Sequence, residues 1–156
     1  MTTLDVGSKA PNFSIPGDGG ATIALKDFAG RKAVVYFYPK DDTSGCTVEA
    51  KDFSALKKEF EKAGTAVIGI SGDSVKSHDK FKTKYDLTIA LGSDEDHKVL
   101  EAYGVWVEKS MYGKKYMGVE RSTFLIGKDG KIAQVWRKVK VPGHAKEVLD
   151  AAKALG

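Results

Sequence analysis

AVVYFYPKDDTSGCTVEAKDFSALKKEFEKAGTAVIGIS, residues 33–71, decides the fold. Its opening, Ala33 to Tyr38, is a continuous apolar, aromatic and β-branched run, as expected of a strand buried on both faces near the middle of a sheet. After the turn-like PKDDTSG, Phe53, Leu56, Phe60 and Ala63 recur at steps of three and four, which predicts an amphipathic helix ending at Gly64. Ala66 to Ser71 then predicts a second buried strand. Strand, helix and strand joined by short connections form a βαβ unit, so the two strands should run parallel.

Working outward, the pattern predicts a helix over 75–85, a short strand over 88–91 and a helix over 96–103. STFLIGKDGKIAQVWRKV holds two β-rich runs around Lys128-Asp129-Gly130, an Asp-Gly turn signal for a hairpin. Ala145, Val148, Leu149, Ala152 and Leu155 mark one stripe of a closing helix, and Gly17 to Gly20 reads as a turn. The sum is an α/β fold: a central mixed β-sheet with helices on both faces and an N-terminal β-rich extension. At 156 residues, with no linker-like break, one domain over 1–156 is expected.

Apolar residues at 42% and charged residues at 29% are a globular balance, which argues against a disordered tail or a fibre. No apolar run approaches the roughly 20 residues that span a bilayer, and MTTLDVGSKAPNF lacks a basic-then-apolar leader, so a cytoplasmic location is expected. The net charge of +4 comes from scattered basic residues often beside acids, as in KDFSALKKEFEKAG, which fits solvated faces and not a nucleic-acid surface. His78, His97 and His144 are dispersed without ligand spacing, so no metal and no other cofactor is expected. No glycine loop precedes a Lys-Ser or Lys-Thr pair, so nucleotide binding has no support. Lys109, Lys114 and Lys115 read as a solvated loop, with a docking patch for an acidic reductant as the alternative.

Cys46 is the single cysteine, which excludes an internal disulfide and obliges any thiol chemistry to use an outside partner. Although a lone cysteine is commonly a small buried apolar residue, Cys46 sits where the helix carrying Phe53 must begin. There, unpaired N–H groups and the positive end of the helix dipole favour a thiolate. Thr43 stands three residues earlier, the spacing of an N-cap hydroxyl that reaches the N3 residue. Pro39 fixes φ at the strand exit and could shape the loop or shield the sulfur. Arg121 opens STFLI and by composition alone reads as a surface residue. A dithiol oxidoreductase would need Cys-x-x-Cys, but the first of those positions is Thr43.

Pro39-x-x-x-Thr43-x-x-Cys46 resembles the active-site motif of peroxiredoxins, and FYPKDDTSGCTVEA resembles the branch called peroxiredoxin Q or bacterioferritin comigratory protein. MYGKKYMGVERSTFLIGKDGKI (111–132), the opening GSKAPNF and the final helix are similar to that branch too, so the resemblance covers nearly the whole chain. It implies a thioredoxin-like fold and a thiol-dependent peroxidase reducing hydrogen peroxide and organic hydroperoxides. In that resemblance Cys46 is the peroxidatic cysteine, Thr43 the hydroxyl at the thiolate and peroxide, Pro39 the shield over the pocket, and Arg121 the cation beside the sulfur. Gly45 would line the same substrate pocket. Departures from the branch are as informative. The resolving cysteine often found five residues after the first is Lys51 here, the alternative position near Phe81 and Lys82 holds none, and the usual proline before Gly-Cys is Ser44. A one-cysteine cycle follows, with an external thiol such as thioredoxin, glutaredoxin or glutathione as partner, and the branch resembled implies a monomer. The rival from another class is a redox sensor or binding protein whose Cys46 is oxidised slowly and recognised by a partner.

Overall fold

The computed structural model describes residues 4–155. Strand β3 (Lys32–Phe37) is buried along its whole length, as its unbroken apolar run requires. Ala33, Val35 and Phe37 point into one core, while Val34, Tyr36 and the following Tyr38 point into another. β3 pairs in parallel with β4 (Thr65–Ser71), in the register Val34 to Val67, which bears out the βαβ reading. It is central because its other edge pairs antiparallel with β8 (Ser122–Ile126), Phe37 lying opposite Ser122. β5 (Ala90–Ser93) extends the sheet beyond β4, and β9 (Ile132–Trp136) beyond β8, giving the order β5-β4-β3-β8-β9. β8 and β9 form the expected hairpin, with a register irregularity between Leu125 and Ile126.

Between β3 and β4 the expected single helix is two: α1 (Ser44–Ala55) and α2 (Lys57–Lys62), broken at Leu56 where ψ is 4°. The apolar stripe runs through the break, since Phe53 and Phe60 are both fully buried and Leu56 packs against the same core. α3 (Val75–Tyr85) starts at Ser74, whose hydroxyl accepts from the Ser77 N–H, and ends at Asp86 in the left-handed conformation. α5 (His144–Ala154) buries Ala145, Val148, Leu149 and Ala152, four of the five stripe residues, with Leu155 partly buried. The buried amine of Lys32 donates to the Ala152 and Leu155 carbonyls and so ties β3 to the end of this helix.

Helices α1, α2, α3 and α5 cover one face of the sheet. α4 (Lys98–Ala102), with Val99 and Leu100, packs on the other face with the N-terminal hairpin β1 (Ser14–Pro16) and β2 (Thr22–Ala24). Each buried Phe, Leu, Ile or Val side chain contributes about 1.5–3 kcal/mol. The Gly17 to Gly20 turn contains a short 3₁₀ turn over Asp18–Gly20. β5 and α4 begin about two residues later than expected. A further hairpin, β6 (Trp106–Met111) with β7 (Lys114–Val119), stands apart from the main sheet as a two-stranded ribbon. It corrects the loop expected around Lys109, Lys114 and Lys115: all three lie on this hairpin, and its turn uses Tyr112 and Gly113 at φ 52° and 78°. The thioredoxin-like mixed sheet with helices on both faces is thus as expected.

Candidate active site

α1 begins with Thr43 at its N-cap position, so Cys46 falls in the first turn at N3. The buried stripe of this helix is Cys46, Glu49, Ala50 and Phe53, at steps of three and four. This spacing turns the sulfur inward, and Cys46 is 1% exposed. Arg121 arrives from the opposite side. It precedes β8, whose pairing with β3 carries it to the end where β3 leads into the Cys46 loop. Its carbonyl is anchored by the Val139 N–H at 3.0 Å.

Arg121 Nη2 donates to Cys46 Sγ at 3.3 Å, and Nη1 donates to Glu49 Oε1 at 2.6 Å. One guanidinium therefore faces two acids. The Glu49 side chain is 1% exposed and its second oxygen, Oε2, has no hydrogen-bond partner among the described residues. Burial pushes the Glu49 carboxyl up to about 7, against the opposing pull of Arg121. Burial works to lower Arg121, but the Glu49 and Cys46 charges leave it above its ordinary value. Tyr36, stacked on Phe53 at 4.6 Å, is also raised well above the usual phenol range, first by burial and then by the Glu49 and Cys46 charges. A side chain on Gly45 would press its Cβ to 3.3 Å from Arg121 Nη2, so glycine leaves room for the guanidinium over the helix start.

The residues anticipated from sequence do not all meet. Cys46, Arg121 and Gly45 come together. Thr43 sits at the cap position, but its hydroxyl donates to the Lys40 carbonyl at 2.9 Å and makes no side-chain cap bond, so the anticipated contact with N3 is not formed. The first intrahelical bond runs from the Thr47 N–H to the Thr43 carbonyl at 2.8 Å, and no side-chain cap closes the N–H groups before it. Pro39 is exposed at the strand exit and borders a cavity of about 350 Å³ with Lys40, Gly72 and Tyr116. Arg121 borders a neighbouring groove of about 470 Å³ between the β6–β7 hairpin and Lys138.

Glu49 does not stand out in the sequence, although the stripe Cys46, Glu49, Ala50, Phe53 held the signal: a carboxylate on a buried face needs a cation. The histidines are not idle either. His144 Nε2 bonds Thr123 Oγ1 at 2.8 Å, His97 stacks on Trp106 at 4.0 Å, and His78 is buried against Asp41. Polar atoms of Asp41, Asp73 and His78 lie within 4.8 Å of one another, a grouping the dispersed sequence positions did not suggest.

A buried thiol at a helix N-terminus, under an arginine that a buried glutamate holds, is an arrangement suited to thiol-based redox chemistry. Residues 6–135 match the AhpC/TSA family. The chain is 48% identical to the Bacillus subtilis peroxiredoxin Bcp over 97% of its own length and 96% of the relative's, and 45% identical to the Escherichia coli peroxiredoxin Bcp over 98% of each. A structure of the Xanthomonas campestris bacterioferritin comigratory protein, determined in work on its alkyl peroxide reduction activity, superposes with a TM-score of 0.90 at 47% identity, covering 96% of this chain and 98% of that one. A cysteine-to-serine variant of Xylella fastidiosa PrxQ superposes with a TM-score of 0.93 at 42% identity, covering 99% and 98%. This chain belongs to the AhpC/TSA family, in its peroxiredoxin Bcp branch, and is a thiol-dependent peroxidase.

Proposed function

We propose that Cys46 is the peroxidatic residue and that Arg121, held by Glu49, stabilises its thiolate and the transferring peroxide oxygen. The observation that carries this is the bond from Arg121 Nη2 to Sγ at 3.3 Å. The thiolate attacks the terminal oxygen of ROOH, so an S–O bond forms as the O–O bond breaks. Sulfur is oxidised by two electrons, and the departing alkoxide or hydroxide takes up a proton and leaves as alcohol or water. A guanidinium keeps its charge throughout and offers several N–H donors to both oxygens, which a point charge on lysine would not. Gly45 lines the approach, Pro39 bounds it on the strand side, and the Thr43 hydroxyl reaches the peroxide by exchanging its Lys40 carbonyl partner for substrate.

With Cys46 the chain's one cysteine, the sulfenic acid is cleared from outside. One thiol condenses with it to a mixed disulfide and water, and a second thiol releases Cys46 and leaves as a disulfide. Hydrogen peroxide and organic hydroperoxides are the substrates, with thioredoxin, glutaredoxin or glutathione as the thiol. The alkyl peroxide activity of the Xanthomonas relative supports the second substrate class. No helix among the described residues is long and apolar enough to cross a membrane. The branch resembled supports a monomer. Peroxide consumption measured with thioredoxin, glutaredoxin and glutathione supplied in turn tests the cycle. Saturable, repeated turnover with at least one of them is expected, whereas a single stoichiometric oxidation under all three would favour a redox sensor.

A further inference from the structure

His78 on α3 is fully buried, and Asp41, in the loop five residues before Cys46, is buried against it. His78 Nε2 is 2.9 Å from the Gly92 carbonyl oxygen of β5, which can only accept, so Nε2 carries a hydrogen. Nδ1 is 2.7 Å from Asp41 Oδ2. In a neutral imidazole with its hydrogen on Nε2, that contact would set a lone pair against a carboxylate, so a proton must lie between the two atoms. Asp41 is otherwise satisfied by donors: Tyr38 Oη to Oδ1 at 2.6 Å and Ser77 Oγ to Oδ2 at 2.8 Å. The Asp41 N–H donates to Asp73 Oδ2, which also accepts from Ser71 Oγ. Both Asp41 oxygens and both His78 nitrogens are thus engaged in hydrogen bonds.

We propose that Asp41 and His78, sharing one proton, are positioning residues for the peroxide reaction, pinning the loop from Pro39 to Thr43 to α3 and β5 so that Cys46 meets Arg121 in reacting geometry. The role rests on Cys46 being the nucleophile. Two further bonds pin the same loop. Asp42, in a left-handed conformation at φ 59°, accepts from Lys84 Nζ and Tyr85 Oη on α3. The loop is only a few residues long, so a shift at Asp41 passes directly to Thr43 and the first turn of α1.

The groups facing the pair are Tyr38 just after β3, Asp73 from the segment after β4, Ser77 from α3 and the Gly92 carbonyl from β5, while Lys76, Lys80 and Lys84 rim the shallow surface depression outside it. Burial acts to lower His78, but the bonds to Asp41 and Gly92 and the charge of Asp73 leave it above its ordinary value. A base raised in the folded state contributes fully below its ordinary value of 6.5 and loses that contribution as pH rises through the raised value. Above it, the facing lone pairs repel and the loop is released.

The test is the second-order rate constant for oxidation of Cys46 by hydrogen peroxide in single-turnover mixing, across pH 6 to 10, with ¹⁵N spectra of the histidines. In the parent protein the rate is expected to fall as pH rises through the raised value of His78, and both His78 nitrogens should read as protonated below it. Asp41→Asn can donate its amide N–H to an unprotonated Nδ1, so that fall should vanish in this variant. His78→Phe should lower the neutral rate by roughly ten- to a hundredfold with the free-thiol count unchanged. If that variant does not fold, Asp41→Asn decides. Superimposable pH profiles of parent and Asp41→Asn, or an unprotonated Nδ1 at pH 6 without a strongly downfield proton, would overturn the proposal. A parent protein inert to peroxide would instead remove the peroxidase assignment of Cys46, and this role with it.

Discussion

Replacing Arg121 by alanine removes two bonds at once, and the structure separates their consequences. The bond to Cys46 Sγ is charge-assisted, a class that contributes about 1.5–3 kcal/mol, so its loss should slow peroxide reduction by roughly ten- to a hundredfold. The bond to Glu49 is structural. Stranding one partner of a buried ion pair costs about 3–5 kcal/mol, but Arg121 is 17% exposed and Glu49 can take up a proton, so the smaller cost of protonating it caps the loss. Glu49 is raised to about 7 even with Arg121 present, so below pH 6 it is neutral in both proteins and Arg121→Ala should be nearly as stable as the parent. At pH 8, one unit above that value, keeping Glu49 protonated costs the variant at most about 1.4 kcal/mol, so the stability gap should open by about 1 kcal/mol. Urea unfolding at pH 5.5 and pH 8 measures the gap, and stopped-flow peroxide reduction measures the rate. A destabilisation equal at both pH values, or a rate within threefold of the parent, would refute the shared-guanidinium account.

Cys46→Ser should abolish turnover with little loss of folding, because serine's hydroxyl is scarcely ionised at neutral pH; residual activity above about a tenth would place the nucleophile elsewhere. Gly45→Ala should crowd Arg121 Nη2, where the added Cβ would stand 3.3 Å away, and slow the reaction several-fold while unfolding midpoints stay within about 0.5 kcal/mol of the parent. His144 is held down to about 4 by burial and the Arg121 charge, so the unfolded chain binds its proton first on acidification. The protein should lose about 3 kcal/mol between pH 7 and pH 4 through this group, and His144→Gln, which can still bond Thr123, should flatten that part of the stability curve.

The strand, helix and strand around Cys46 were legible because AVVYFY is apolar at every position, a pattern that only burial on both faces explains. The break at Leu56 was not, since the apolar stripe crosses it without interruption. β6 and β7 escaped for the opposite reason. WVEKSM and KKYMGV form an exposed ribbon with little apolar alternation, and only Tyr112-Gly113 marked the turn. Within the site, Cys46 declared itself through its place at a helix start. Arg121 lies 75 residues away in sequence, and no local pattern joins it to the sulfur; only the resemblance to a family did. The Asp41–His78 pair, 37 residues apart, had no such guide. Side-chain networks that close across the ends of several strands leave no periodic trace in any one segment.

Intact mass of the protein, followed through a peroxide titration without and then with thiol, tests the central claim most directly. One equivalent of peroxide should add a single oxygen, located at Cys46 and removed by added thiol. Excess peroxide without thiol should add a second oxygen that thiol no longer removes, because no other cysteine stands ready to protect the sulfenic acid. Sustained turnover in excess peroxide without oxidation beyond the first oxygen, or a first oxygen residing anywhere but Cys46, would contradict a one-cysteine cycle at this site.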